Sequence, residues 1–439
     1  MLRARRSERR RRQPPTPEGS LGALPAEVQD NVLARLPARD VVRTSVLSPV
    51  WRHRWESVPD LDVDIDIDGV RSWETAVSVL ERCANPVRRV SIRGVPLGLA
   101  GRADNWLRLV AGKSPRSVSL DLPARDTPAA LPSLFSCDPA ALAELRLRSC
   151  ALPAPPVGFA GFHALAALSL DRVLFHGENG WRQVEAMLAA APGLQELSLK
   201  HIVFHVADVG SIPGKWVIGG PNLRRLVLCL SLVGAGSWEL GDLPKLEDAD
   251  VMLNDSPVDR DYDKLFRAVS RVRELKLGNF DGVTYQGPFL TSLLFGFQNL
   301  RVLKLDTNFS IITTFVSTFY LLRRAQLLQV LEITNSFRDE EIFQEGVVAG
   351  FMLSVLPNST LWFKNLEYLR MINISCSENE MRFIRHVLHR ARNLRAVSVD
   401  MFEGSTKTAQ EASRELKECQ RASPAARISI KHGDSVCNV

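Results

Sequence analysis

A six-residue pattern, apolar-x-x-apolar-x-apolar, returns about ten times along the chain and leaves few folds open to it. It stands at Leu142/Leu145/Leu147, Leu165/Leu168/Leu170, Leu194/Leu197/Leu199 and Leu223/Leu226/Leu228. It continues through Leu246/Ala249/Val251, Val272/Leu275/Leu277, Leu300/Leu303/Leu305 and Leu328/Leu331/Ile333 to Leu366/Leu369/Met371 and Leu394/Val397/Val399. Weaker copies lie at Val87/Val90/Ile92 and around Val118/Leu120. The last two apolar positions are two apart, as one face of a short strand requires. Between copies, Val184, Met187 and Leu188 share a helical face, as do Leu265, Val269 and Val272, and Met381, Ile384, Leu388 and Ala391. A strand and a return helix cannot bury their apolar faces alone. Stacked copies can, so the pattern predicts a solenoid with a concave parallel sheet and helices on the convex side.

The copies recur about every 23 to 29 residues, widened once between Leu328 and Leu366. That is the period of leucine-rich repeats. Their asparagine or cysteine after the strand is mostly missing; Cys150, in Leu145-x-Leu147-x-x-Cys150-x-Leu152, is the best example of it, and an irregular solenoid is expected.

Charge is concentrated outside the repeats. Of the net +6, Arg3, Arg5, Arg6, Arg9, Arg10, Arg11 and Arg12 against Glu8 and Glu18 account for five. Residues 1–20 hold no large apolar side chain after Leu2 and run into Pro14, Pro15 and Pro17, so they read as a disordered basic leader with the composition of a nuclear import signal. The nearly neutral remainder does not imply a nucleic-acid surface. The seven cysteines lack CxxC spacing, which argues against zinc or a disulfide framework. No apolar stretch follows the arginines and none is long enough to span a bilayer, so neither a secretory signal nor a membrane anchor is expected. Nucleus or cytoplasm, or both, is the expected location.

The segment after the leader is helical in pattern. Pro25 suits a first helical turn, Val28, Val32, Leu33 and Leu36 share one face, and Pro37 ends it. Asp40 is placed to cap a second helix through Val42 and Leu47, and Trp51 and Trp55 lie one turn apart in a third. Three short helices cannot bury two tryptophans and a row of aliphatics, so this segment is either a partner site or a cap on the repeats.

Leu24-Pro25, Val32-Leu33, Leu36-Pro37, Asp40-Val41-Val42-Arg43-Thr44-Ser45-Val46-Leu47-Ser48 and Trp51-Arg52-x-x-Trp55 resemble the F-box of plant F-box proteins. Gln29 stands where a second leucine is usual, and Val50 where a basic residue is common. Phe363-Lys364-Asn365-Leu366-Glu367-Tyr368-Leu369, followed by Glu380-Met381-Arg382-Phe383-Ile384 and Ala425-Ala426-Arg427-Ile428-Ser429-Ile430, is similar to the FBD region that ends many such proteins. A Gly-Phe-x-Gly turn often found there is replaced by Asn373-Ile374-Ser375-Cys376.

The resemblance implies a leader over 1–20, an F-box over 21–61, leucine-rich repeats over 62–360 and FBD-like terminal repeats over 361–439. It also implies a substrate-recognition subunit of a ubiquitin ligase. Leu24, Pro25, Val28, Val32, Leu33, Leu36, Pro37, Val42, Leu47, Trp51 and Trp55 would meet an S-phase-kinase-associated (SKP) adaptor, which links them to cullin and RING subunits. A target protein would lie on the concave sheet. There the strand positions flanking the buried leucines include Arg146, Arg148, Lys200, Arg225, Lys276, Lys304 and Arg370. Glu144, Asp171, Glu196, Asp248, Asp250, Glu274, Asp306, Glu332 and Asp400 interleave with them. Mixed charge suits a protein target better than a phosphate backbone; the alternative is that these groups pair among themselves. A scaffold detached from any ligase is the rival reading, and a small-molecule co-receptor a third.

Chemistry-bearing motifs are weak. Asp64-x-Asp66-x-Asp68-Gly69 begins like a calcium loop but has Thr75 where a bidentate glutamate is needed, and Val63, Ile65 and Ile67 alternate as in a strand. Gly210-x-x-x-Gly214-Lys215-Trp216 is one residue short of a phosphate loop. His386 and His389 are expected on a solvated helix face. No catalytic residues, metal or cofactor are expected.

Overall fold

The computed structural model describes residues 24–36, 38–47, 51–58, 60–66, 77–177, 179–205, 215–231, 235–253, 262–278, 295–307, 309, 311–335, 346, 348, 350, 363–405, 407–433 and 435–438. The leader, Pro37, Val50 and the pseudo-motifs around Asp68 and Gly210 lie outside them. Fifteen strands form one sheet whose spatial order is their chain order. It begins at Leu61–Asp66 and Val87–Arg93, runs through Glu144–Arg148, Glu196–Lys200, Glu274–Gly278 and Tyr368–Ile374, and ends at Arg427–His432. All neighbours are parallel except the last, Ser435–Asn438, which folds back antiparallel. The two weaker sequence copies are strands as well, in register with the clear ones through Val90↔Val118 and Val118↔Leu145.

In the clear copies the last two apolar positions are buried and the residue between them is not. In Glu144–Arg148, Leu145 and Leu147 are buried while Arg146 and Arg148 are exposed. The buried leucines of successive strands stack into one continuous core, joined on the same side by the return segments. Helices α1 (Ala26–Leu33) and α2 (Ala38–Arg43) precede the first strand; among the described residues the returns include helices α3 (Ala103–Ala111), α4 (Gly180–Ala189), α5 (Tyr262–Ala268), α6 (Ile312–Arg324), α7 (Glu378–Arg390) and α8 (Ala409–Lys417). Helix α4 buries Val184, Met187 and Leu188, and α7 buries Met381, Ile384 and Leu388, as their spacing predicts.

One strand and one helix per repeat is too regular a picture. Several returns also carry two- or three-residue strands: Ala129–Ala130, Cys150–Leu152, Leu174–Phe175 and Val203–Phe204 form a second parallel sheet. Pro153, Pro155 and Pro156 explain one of them, since that spacing denies a helix its amide donors. Cys150 is buried at the first position of its short strand.

Two further expectations change. Asp40 lies inside the first turn of α2 and does not cap it; its carboxylate favours the helix dipole from there and meets Arg43 at 3.3 Å. The third N-terminal helix is only a 3-10 turn, Arg54–Ser57, and Trp51 and Trp55 are both buried.

Candidate functional site

The N-terminal module has two faces. Gln29 and Leu33, one turn apart on α1, are buried, and so are Val41, Trp51, Trp55 and Val58. With half-buried Leu36 and Val42 they join the solenoid core, and α2 packs on the first strand. The guanidinium of Arg82, in the first return segment, lies 5.0 Å from the Trp55 ring. Arg82 also pairs with Glu56, which His53 Nδ1 meets at 2.9 Å; these contacts, the His53 bond foremost, hold the Glu56 carboxyl below its ordinary value. Gln29, in place of a leucine, donates through Nε2 to Leu24 O at 2.8 Å and so ties down the entry to α1, which a leucine could not do.

The other face is apolar and open. Leu24, Val28 and Val32, each one turn from the next, are 38%, 43% and 41% exposed; Val46 and Leu47, at the end of the second helical segment, are 85% and 60% exposed. Burying one such side chain is worth about 1.5–3 kcal/mol. The expected adaptor residues therefore divide: Leu24, Pro25, Val28, Val32 and Leu47 face solvent, whereas Leu33, Trp51 and Trp55 hold the module to the repeats. Val46 belongs with the exposed group. Its place beside Leu47 at the end of the second helical segment is its sequence signal.

The sheet's open face carries the mixed charges, and most pair across strands. Arg148 lies 3.5 Å from Asp121 and 3.3 Å from Asp171. Lys276 meets Asp250 at 3.0 Å, Lys304 meets Glu274 at 2.6 Å, and Arg370 bridges Glu332 at 3.6 Å and Asp400 at 3.0 Å. The Glu274 bond raises the Lys304 pKa above its ordinary value. Arg146, Lys200 and Arg225 have no carboxylate within ion-pair distance among the described residues.

The terminal repeats hold a buried polar network. Glu380, almost wholly buried in α7, accepts from Asn335 Nδ2 at 2.8 Å, Ser375 Oγ at 3.1 Å and the Ser377 amide at 2.8 Å. Burial pushes its pKa up. Asn373 Nδ2 donates to Asn335 O at 2.9 Å, which ties the strands on either side of the widened repeat. Asn373 and Cys376 adopt left-handed backbone, with φ of 57° and 56°. These are the two ends of the segment that replaces Gly-Phe-x-Gly, so the turn keeps a glycine-like conformation without glycine. His386 is not on a solvated face: it is half-buried, 6.0 Å from the Phe363 ring, and burial, with Arg390 and His389 nearby, lowers its pKa to about 4. Among the described residues no group of three histidine, cysteine or acidic side chains could hold a metal, and no helix is long and apolar enough to cross a membrane.

Residues 21–62 match the family model for the F-box domain. The chain carries an F-box. Beyond it, the chain is similar to F-box/FBD/LRR-repeat proteins of Arabidopsis thaliana. One is 29% identical over 219 residues, covering 47% of this chain and 47% of the relative. A second is 21% identical over 447 residues, covering 93% of this chain and 92% of the relative. An FBD-associated F-box protein is 27% identical over 257 residues, 53% of this chain and 58% of the relative. The F-box thus occupies the module with the split faces, and the likeness extends through the repeats.

Proposed function

We propose that this F-box/LRR protein is a substrate-recognition subunit of an SKP-cullin-F-box ubiquitin ligase. The observation that carries this reading is the apolar face of Leu24, Val28, Val32, Val46 and Leu47, left open on a module whose other face is packed into the repeats. An apolar surface of that kind marks a partner site. The SKP-type adaptor covers it, and through the adaptor come the cullin and RING subunits. The open face of the sheet takes a target protein, with Arg146, Lys200 and Arg225 as the cations available to it, and residues 361–439 form FBD-like terminal repeats. The chain works by proximity: it presents a bound target to a ubiquitin-charged enzyme and performs no chemistry on it. Nucleus or cytoplasm is where it would act.

Affinity purification of the full chain with the proteasome blocked tests this. The expected result is recovery of the adaptor together with a protein whose ubiquitination falls when Leu47→Glu is introduced. Recovery of a repeat-bound partner with no adaptor and no change in ubiquitination would favour the detached scaffold.

A further inference from the structure

Three side chains on the sheet's open face form an arrangement that target capture does not require. Cys229 ends the strand Arg225–Cys229, and its Sγ lies 3.4 Å from His201 Nε2. His201 Nδ1 in turn lies 3.1 Å from Asp171 Oδ1. Asp171, His201 and Cys229 belong to three successive repeats, separated by about thirty residues each in sequence, and the parallel register brings their strands side by side.

The backbone fixes this geometry. Immediately after their strands, Arg172 and His201 turn into left-handed conformation, with φ of 55° and 49°. His201 N–H then donates to Cys229 O at 2.7 Å, just as Arg172 N–H donates to Lys200 O at 2.9 Å. The imidazole is thereby held between the acid of the preceding strand and the thiol of the next. With its proton on Nδ1, donated to Asp171, the ring leaves the Nε2 lone pair for the thiol hydrogen. That is the relation of acid, base and nucleophile that activates a weak nucleophile. The two ring nitrogens serve opposite neighbours, so the three groups form a line and do not converge on a metal ion.

We propose that Cys229 is a covalent modification site for small anionic disulfides, with His201 as its base and Asp171 as the residue that positions His201. In the step, Cys229 Sγ attacks one sulfur of the disulfide while its proton passes to His201 Nε2. The new sulfur–sulfur bond forms as the old one breaks, and the leaving thiolate takes the proton from Nε2. Cys229 is oxidised to the mixed disulfide, half of the reagent is reduced to a thiol, and no further oxidant is needed. Burial raises the Cys229 pKa; Lys200 and Lys276 act against this, while Asp171 and Asp250 add to it. The resting group is therefore the thiol, which is why a base at hand matters. Lys200 pairs with Cys229 in register, and Arg225 lies on the same strand. Neither has a carboxylate within ion-pair distance among the described residues, but Arg225 faces Asp248 and Glu196 in register, so Lys200 is the cation available to an anionic reagent at Cys229. The proposal does not depend on the ligase reading.

The test uses the full chain, oxidised glutathione as the probe and peptide mass spectrometry to follow each cysteine with time. Cys229 should acquire glutathione, and His201→Ala should slow that reaction about tenfold or more. Asp171→Asn, nearly isosteric, should slow it in the same direction. The rate at Cys437 should be unchanged in both variants, and Cys150 and Cys376, buried in the core, should stay unmodified, which certifies the fold. Failure of Cys229 to react while Cys437 does, or a rate at Cys229 unaltered by His201→Ala in a chain whose buried thiols remain protected, would overturn the proposal.

Discussion

Replacing Glu380 with alanine should loosen the terminal repeats and leave the rest of the solenoid intact. The carboxylate accepts from Asn335 Nδ2, Ser375 Oγ and the Ser377 amide, and Ser377 completes the capping box by accepting from the Glu380 amide. Ser375 and Ser377 are partly solvated, so water can replace part of what they lose. Asn335 is almost wholly buried, and an orphaned donor there costs about 1–3 kcal/mol. Loss of the capping box adds roughly 1 kcal/mol. Relief from burying a carboxylate offsets part of this, which leaves a net loss of about 1–3 kcal/mol. Because each repeat contacts only its neighbours, the loss should stay local. Amide hydrogen exchange of the full chain reads this directly. Protection in Val330–Asn335, Tyr368–Ile374 and α7 should fall by roughly 5- to 150-fold, the equivalent of that energy. Protection in Val87–Arg93 should not change. Glu378→Ala, on the same turn but exposed, should alter protection by less than about threefold, the worth of its surface ion pairs with Arg382 and Arg385. Equal effects of the two substitutions, or none from Glu380→Ala, would refute the assignment of this network as the tie across the widened repeat.

Three other outcomes follow from named groups. The His386 pKa of about 4 lies below its unfolded value of 6.5, so its contribution is intact above pH 6.5 and is lost as pH falls toward 4, by up to about 3 kcal/mol. Urea unfolding at pH 7 and pH 5 should show this slope in the wild-type chain and a flatter one in His386→Gln, the Glu380 term, raised by burial and of opposite sign, being common to both. Reversing Lys276 and Lys304 to glutamate breaks pairs with Asp250 and Glu274 and should lower stability by about 1–2 kcal/mol in thermal unfolding, whereas Arg146→Glu, flanked in register by Ser119 and Ser169, should change it by less than about 0.5 kcal/mol and weaken target capture. Deleting residues 1–20 should leave adaptor binding unchanged in a pulldown, since nothing apolar beyond Leu2 is lost; a lost interaction would assign the leader a part in docking.

The repeat strands were legible because their signal is local and periodic: a buried leucine at every second strand position is written into each copy. The helices α4 and α7 were legible for the same reason. What escaped was decided by tertiary packing. Trp51 and Trp55 look like anchors for a partner, and only the first repeat's need for a cap turns them inward. Val46 is unremarkable in sequence and is the most exposed of the open face. The lysines of the open face read as available for a target, yet Lys276 and Lys304 find acids on the neighbouring strand about thirty residues away. Asp171, His201 and Cys229 carry no spacing motif at all, because their meeting depends on parallel register across three repeats.

The claim that the open F-box face is a docking surface rests most directly on the affinity of the full chain for a purified plant SKP-type adaptor. We expect a one-to-one complex that Val28→Glu combined with Leu47→Glu weakens at least about 100-fold, since two side chains worth about 1.5–3 kcal/mol each are lost from the contact. Both positions face solvent, so circular dichroism and unfolding of the double variant should match the wild type. A wild-type chain that does not bind the adaptor, or a folded double variant that binds it equally well, would contradict the account.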